Sequence, residues 1–137
     1  MNVLLDTHIW VWWLTPGSPL KRTEREALDV AAERREVCLA AISLWEAQML
    51  HRKRRLELPL PFSDWLTRAA DSRIVSVIPL DVETVLALDS LPHSFHGDPA
   101  DRLIVATARA HALPLATRDT RIRRSRMARL WKPGQDS

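Results

Sequence analysis

Short apolar runs alternate along this chain with longer segments in which apolar positions recur every three or four residues. The first pattern predicts strands and the second amphipathic helices. Asn2 to Leu5 reads as a first strand, and Thr7 to Leu14, crowded with Trp, as the helix that follows. Breakers from Thr15 to Pro19 make a loop. Thr23 and Glu26 form a capping box that opens a helix to about Arg35. Val37 to Ala40 is a second strand. Ser43 and Glu46 form another box, opening a helix to about Arg54. Two prolines between Leu56 and Pro61 forbid a regular element there. A helix starts at Ser63 or Asp64 and runs to about Asp71. Ile74 to Ile78, rich in β-branched residues, is a third strand, and Asp81 caps a helix to about Asp89.

Asp98, with Pro99 at the first helical position, starts a helix to about His111. Leu113 to Ala116 is a fourth strand, Asp119 to Arg124 a short helix and Met127 to Trp131 a last strand. Strands alternating with helices predict an α/β fold with a mainly parallel central sheet. The chain has 137 residues, enough for one domain with its own core. Residues 1–131 form that expected domain and 132–137 a flexible tail. No stretch is long and apolar enough to span a bilayer. The start, MNVLLDTHIW, lacks the basic region of a signal peptide. The single cysteine, Cys38, forbids an internal disulfide, fits a cytoplasmic location and sits in an apolar run as a buried thiol.

Four acids change the picture. Asp6, Glu46, Asp101 and Asp119 each stand where an apolar run gives way to a helix. Each has a local role available, as an N-cap, a capping-box partner or a turn residue. Acids at several strand-to-helix junctions also meet at one edge of a parallel sheet, where open α/β sheets carry their sites. A helix N-terminus holds such a carboxylate ionised. A cluster of them calls for a hard cation with oxygen ligands, Mg²⁺ or Mn²⁺. Such an ion activates water and neutralises charge on a phosphoryl group. One ion and two are equally compatible with four acids.

The formal net charge is +3, and Arg dominates the basic residues. One basic patch is His51 to Arg55. The other spans Arg118, Arg121, Arg123, Arg124, Arg126 and Arg129. Such patches suit a phosphate backbone. Other carboxylate enzymes fit poorly. An aspartyl-phosphate phosphatase wants Asp two residues after Asp6, where His8 stands. A receiver domain wants paired acids after the first strand, where Thr7 follows. A dinucleotide enzyme needs a Gly-rich turn, and none of the 3 glycines follows that strand. His93 and His96 lack the further ligands of a zinc site.

From Met1 to about Trp131 the chain resembles a PIN-domain ribonuclease, specifically a VapC-type toxin of a type II toxin–antitoxin pair. Four segments carry the resemblance: LLDTHIWVWWL, ISLWEAQMLHRKRRLELP, HGDPADRLIVATARAHALPL and LATRDTRI. It implies a three-layer α/β/α fold, metal-dependent hydrolysis of RNA phosphodiester bonds and inhibition by a small VapB-like antitoxin. Asp6 then matches the first metal ligand, Glu46 the second acid and Asp101 the third. Asp119 matches the fourth, acting directly or through water. Asp98 reads as a helix cap rather than a ligand. Thr7, Ser43 and Thr117 match polar positions that orient the acids, and Arg118 and Arg121, beside Asp119, are the expected RNA contacts. Leu50 and Arg54 depart from the Lys and Gly common in relatives, which alters contacts on that helix and not the acid set.

A homodimer is a further expectation. Trp10, Trp12 and Trp13 cannot all enter one small core, so part of that helix is expected to face a partner. The alternative function is an inactive PIN-like module that binds RNA or protein without cutting. Retention of all four acids argues against it, because an unneeded carboxylate cluster is costly.

Overall fold

The computed structural model describes residues 2–95 and 97–133. Three short strands lead into helices. These are β1 (Val3–Leu5) into α1 (Thr7–Trp13), β2 (Val37–Ala40) into α3 (Ala41–Arg52), and β4 (Leu115–Ala116) into α7 (Thr120–Ser125). The other elements are α2 (Arg22–Glu33), α4 (Phe62–Ala69), β3 (Ser76–Ile78), α5 (Val82–Ser90) and α6 (Pro99–Ala110). The strands lie in the order β3-β2-β1-β4, and every pair is parallel. Their C-terminal ends therefore share one edge.

Alternation along the strands builds the three layers, because neighbouring side chains of a strand point to opposite faces. Val3, Leu5, Val37, Leu39 and Ala116 face a core completed by α1, α2 and α4. Leu4, Cys38, Ala40 and Leu115 face a second core beneath α5, α6 and α7. Both faces are covered, which is why these strands read as unbroken apolar runs. Burial pushes the Cys38 thiol up, as expected of an inert core cysteine. Among the described residues no helix is long and apolar enough to cross a membrane.

Several expected details differ. Helix α2 is capped by Lys21, whose N–H donates to the Glu24 carboxylate at 2.9 Å, so Thr23 lies inside the helix. Helix α3 follows β2 without a gap, and its cap Ala40 offers no side chain; Ser43 is consumed in the first turn rather than before it. The strand expected over Met127 to Trp131 shrinks to one bridge, Leu115 to Leu130. Residues 134–137 of the expected tail lie outside the described residues. The Trp-rich helix does not offer a partner face as expected. Trp10 and Trp13 are buried, and their indole N–H groups donate to the Ala69 carbonyl and to Asp29. Trp12 packs half-buried against the same core. One helix accommodates three indoles because it is covered by α2 and α4 together. Among the described residues the large exposed apolar side chains are elsewhere: Leu80, Val82, Val85 and Leu86 around α5, Trp45 on α3, Val30 on α2 and Val77 on β3.

Candidate metal centre

Asp6 ends β1, and its N–H donates to the Ala116 carbonyl at 2.9 Å, stitching the ends of two adjacent strands. One carboxylate oxygen accepts from Thr7 N–H at 2.8 Å, the other from the Thr117 hydroxyl at 2.6 Å. The Thr117 hydroxyl in turn accepts from Asp119 N–H at 3.0 Å. Asp119 caps α7 through Ile122 N–H. The Thr7 hydroxyl donates to the Ser43 hydroxyl at 2.9 Å, tying α1 to the first turn of α3. Thr7, Ser43 and Thr117 are all buried. The three polar positions therefore form one hydrogen-bonded frame behind the acids.

Glu46 projects from the next turn of α3. Its carboxylate and those of Asp98 and Asp101 bring oxygen atoms to within 4.8 Å of one another. Asp98 caps α6 by accepting from Asp101 N–H at 3.0 Å, so capping and membership of the cluster coexist in one residue. The three-residue spacing of Asp98 and Asp101 carried both meanings, and the sequence reading assigned only the first. Asp6 stands beside this group. Its carboxyl is pushed up chiefly by burial, opposed by the Thr117 and Thr7 hydrogen bonds and by His8, and raised further by Asp119. The Glu46 carboxyl is also raised first by burial; the Thr7 hydroxyl and His8 oppose this, and Asp6 and Asp98 add to it. Five acids from four segments thus share one electrostatic site.

One atom bears on what these acids can hold. Oε1 of Glu46 is buried and has no hydrogen-bond partner. A buried carboxylate oxygen without a partner is expensive. An all-oxygen donor set with an unsatisfied anionic oxygen fits a hard divalent cation, so the residues present suit Mg²⁺ or Mn²⁺.

Arg118 does not point where the sequence suggested. Its guanidinium pairs with Glu24 of α2 and lies over the Trp12 ring, 5.8 Å from the centroid. An expected RNA contact is thus committed to a clamp between α1, α2 and the segment before Asp119. Arg121 is exposed. The clamp is partly open to solvent, so Glu24→Gln is expected to cost at most about 1 kcal/mol in urea unfolding. A loss well beyond that would make the pair a main support of the fold.

An all-parallel sheet with carboxylates gathered at its C-terminal edge is an open α/β domain whose site lies where such sheets carry theirs. The chain belongs to the PIN domain family, whose profile matches residues 3–126. It is 40% identical over 129 residues to "Ribonuclease VapC22" of Mycobacterium tuberculosis, covering 93% of this chain and 95% of that one. The fold is also that of a chain in the crystal structure of VapBC2 from Rickettsia felis bound to a DNA fragment from their promoter. That match has a TM-score of 0.71 at 17% identity, over 96% of this chain and 98% of the other. A chain of FitAcB from Neisseria gonorrhoeae superposes with a TM-score of 0.65 at 23% identity, over 96% and 97%.

Proposed function

We propose that this protein is a Mg²⁺- or Mn²⁺-dependent endoribonuclease, the toxin of a toxin–antitoxin pair acting in the cytoplasm, formed by one PIN domain over residues 1–131. The observation that carries the reading is the unpartnered Oε1 of Glu46 inside a group of acids. A module that merely bound RNA would gain nothing from it. Glu46, Asp101 and Asp6 would hold the cation, with Asp98 adding a carboxylate beside Glu46 and Asp101 and Asp119 acting near Asp6. When bound, the ion activates water and stabilises charge on the scissile phosphate.

The chain's own residues prepare the rest. Thr117 orients Asp6 and, through Asp119 N–H, fixes the start of α7. Thr7 and Ser43 hold the base of α3, so Glu46 does not swing away. Arg121, exposed at the second position of α7, would meet RNA phosphate. The 40% identical relative is named a ribonuclease, which supports the activity, and the VapBC likeness supports a VapB-like partner. RNA incubated with the purified chain is expected to be cleaved with Mg²⁺ or Mn²⁺ and to stay intact with EDTA. Metal binding without cleavage of any RNA would favour the inactive module.

A homodimer belongs to the same reading, with its surface reassigned from the Trp-rich helix to α5. Val82, Val85 and Leu86 stand exposed on one side of that helix, beside Leu80. Light scattering is expected to give the mass of two chains for the natural protein and of one for Val85→Glu/Leu86→Glu. An unchanged mass in that variant would place the contact elsewhere.

A further inference from the structure

The arginines after Asp119 do not all line the carboxylate site. Arg123, Arg126 and Arg129 turn toward the end of α6, where Arg109 joins them around a cleft of about 530 Å³. Leu113 and Leu130 also line it, and among the described residues no carboxylate does. Four guanidiniums around one concavity repel one another unless an anion joins them.

Local structure explains part of this. Arg109 donates to the Met127 carbonyl at 2.8 Å, Arg123 to the Thr117 carbonyl at 3.0 Å, and Arg129 to the Ala112 carbonyl at 3.4 Å. Cations near the end of α6 also suit its negative pole. Each guanidinium nevertheless carries five N–H donors, so most donors at the cleft remain unspent. Arg126 has no such explanation. Its side chain has no hydrogen bond or ion pair among the described residues, and its backbone takes the left-handed conformation at φ 59°. That backbone belongs to its place at the end of α7, as with Arg35, Arg54 and Ala112 just past other helices, and leaves the side chain unaccounted for.

The cleft is joined to the carboxylate site by α7. Asp119 caps the start of that helix, and Arg123, one turn later, reaches back to the Thr117 carbonyl while lining the cleft. A phosphate chain leaving the acids along α7 would reach this cleft at the far end of α6.

We propose that the cleft between the end of α6 and residues 123–130 is a phosphate-binding subsite that takes the RNA strand beyond the scissile bond. The assignment to RNA rests on the nuclease reading above; the phosphate chemistry does not. A free polyphosphate ligand offers the same chemistry, and the experiment separates the two sources.

The test uses the full chain in EDTA, so that nothing is cut, and the variant Arg126→Asn/Arg129→Gln. Asn tolerates the left-handed backbone at position 126. The single Arg126→Asn, which removes no bond, guards against misfolding of the double variant. Ligands are a single-stranded RNA 20-mer, a 4-mer and inorganic tripolyphosphate, titrated over a range of salt. The double variant is expected to bind the 20-mer several-fold more weakly. The slope of log K against log salt is expected to flatten by about 1.4, about 0.7 for each lost contact to a single strand. Binding of the 4-mer stays unchanged. If tripolyphosphate binding is lost in the variant while the 20-mer is unaffected, the subsite stands with a free ligand as its occupant. Unchanged binding of both 20-mer and tripolyphosphate overturns the proposal, and weaker antitoxin binding alongside it would assign the cleft to an acidic protein segment. A natural chain that neither binds nor cuts RNA would defeat the nuclease reading, while the tripolyphosphate titration would still decide the cleft.

Discussion

Cleavage of RNA in Mg²⁺ is expected to fall by about 10³-fold when Asp6 or Asp101 becomes Asn, and to be undetectable in the double variant. The size follows from the several kcal/mol that a Lewis-acid cation supplies to a transferring phosphoryl group, at about 1.4 kcal/mol per tenfold in rate. The substitutions are nearly isosteric and act through different supports. Asp6 is buried at the end of β1, held by Thr7 and Thr117. Asp101 stands in the first turn of α6, in the group with Glu46 and Asp98. Loss of both in one variant with a preserved far-ultraviolet spectrum would attribute activity to the convergence of these segments. Cleavage persisting in the double variant at the natural rate would remove the carboxylates from the mechanism.

The same cluster is expected to destabilise the metal-free fold at neutral pH, so Asp6→Asn should raise the melting temperature in EDTA while lowering activity. Burial raises the Asp6 and Glu46 carboxyls in the folded state. The protonated forms therefore favour folding. Their contribution is fully present below the ordinary carboxylate value of about 4 and is lost as pH rises through the raised folded values. As the pH rises toward 7.5 the metal-free chain loses that contribution to the extent that these carboxyls ionise. Asn keeps the bond from Thr7 N–H, and the Thr117 hydroxyl can turn to accept from the new amide. Replacing a buried charge in this way is expected to stabilise by about 1–4 kcal/mol. Mg²⁺ should stabilise the natural chain at pH 7.5, less at pH 5, and Asp6→Asn hardly at all. Calorimetric melts with and without EDTA at the two pH values decide this. A variant less stable than the natural chain in EDTA at pH 7.5 would show that Asp6 is structurally favourable as an anion.

Much of the fold was legible because each signal was local. Alternation of apolar strands with amphipathic helices predicts a parallel sheet, and the Asp81 and Asp98 caps appear where capping chemistry places them. Helix starts without a side-chain cap were less legible. Nothing local reveals that α3 begins at Ala41, because its first turn is held by β2 before it and by Thr7 across the site. The Trp-rich helix misled for a related reason. An indole's fate depends on how many neighbouring elements cover it, and α4, which takes the Trp10 N–H, is 59 positions away in sequence.

Side-chain partners at long separation were also out of reach. Arg118 pairs with Glu24 across 94 positions of sequence, and charge patterning alone cannot distinguish an arginine that faces RNA from one that faces another helix. The arginines at 123, 126 and 129 read as one surface stripe with their neighbours. Only the packing of α6 against the C-terminal segment brings Arg109 to them.

By itself the sequence determined which residues are able to do chemistry, and it placed them at strand-to-helix junctions. Hydrophobic period and capping act over a few residues and are written in adjacent positions. Tertiary structure decided which acids bring carboxylate oxygens to one point, that Asp98 is among them, and that Glu46 is left with an unsatisfied oxygen. Those outcomes depend on distances between segments that only the packed sheet brings together, and on burial, which no residue possesses before the chain has folded around it.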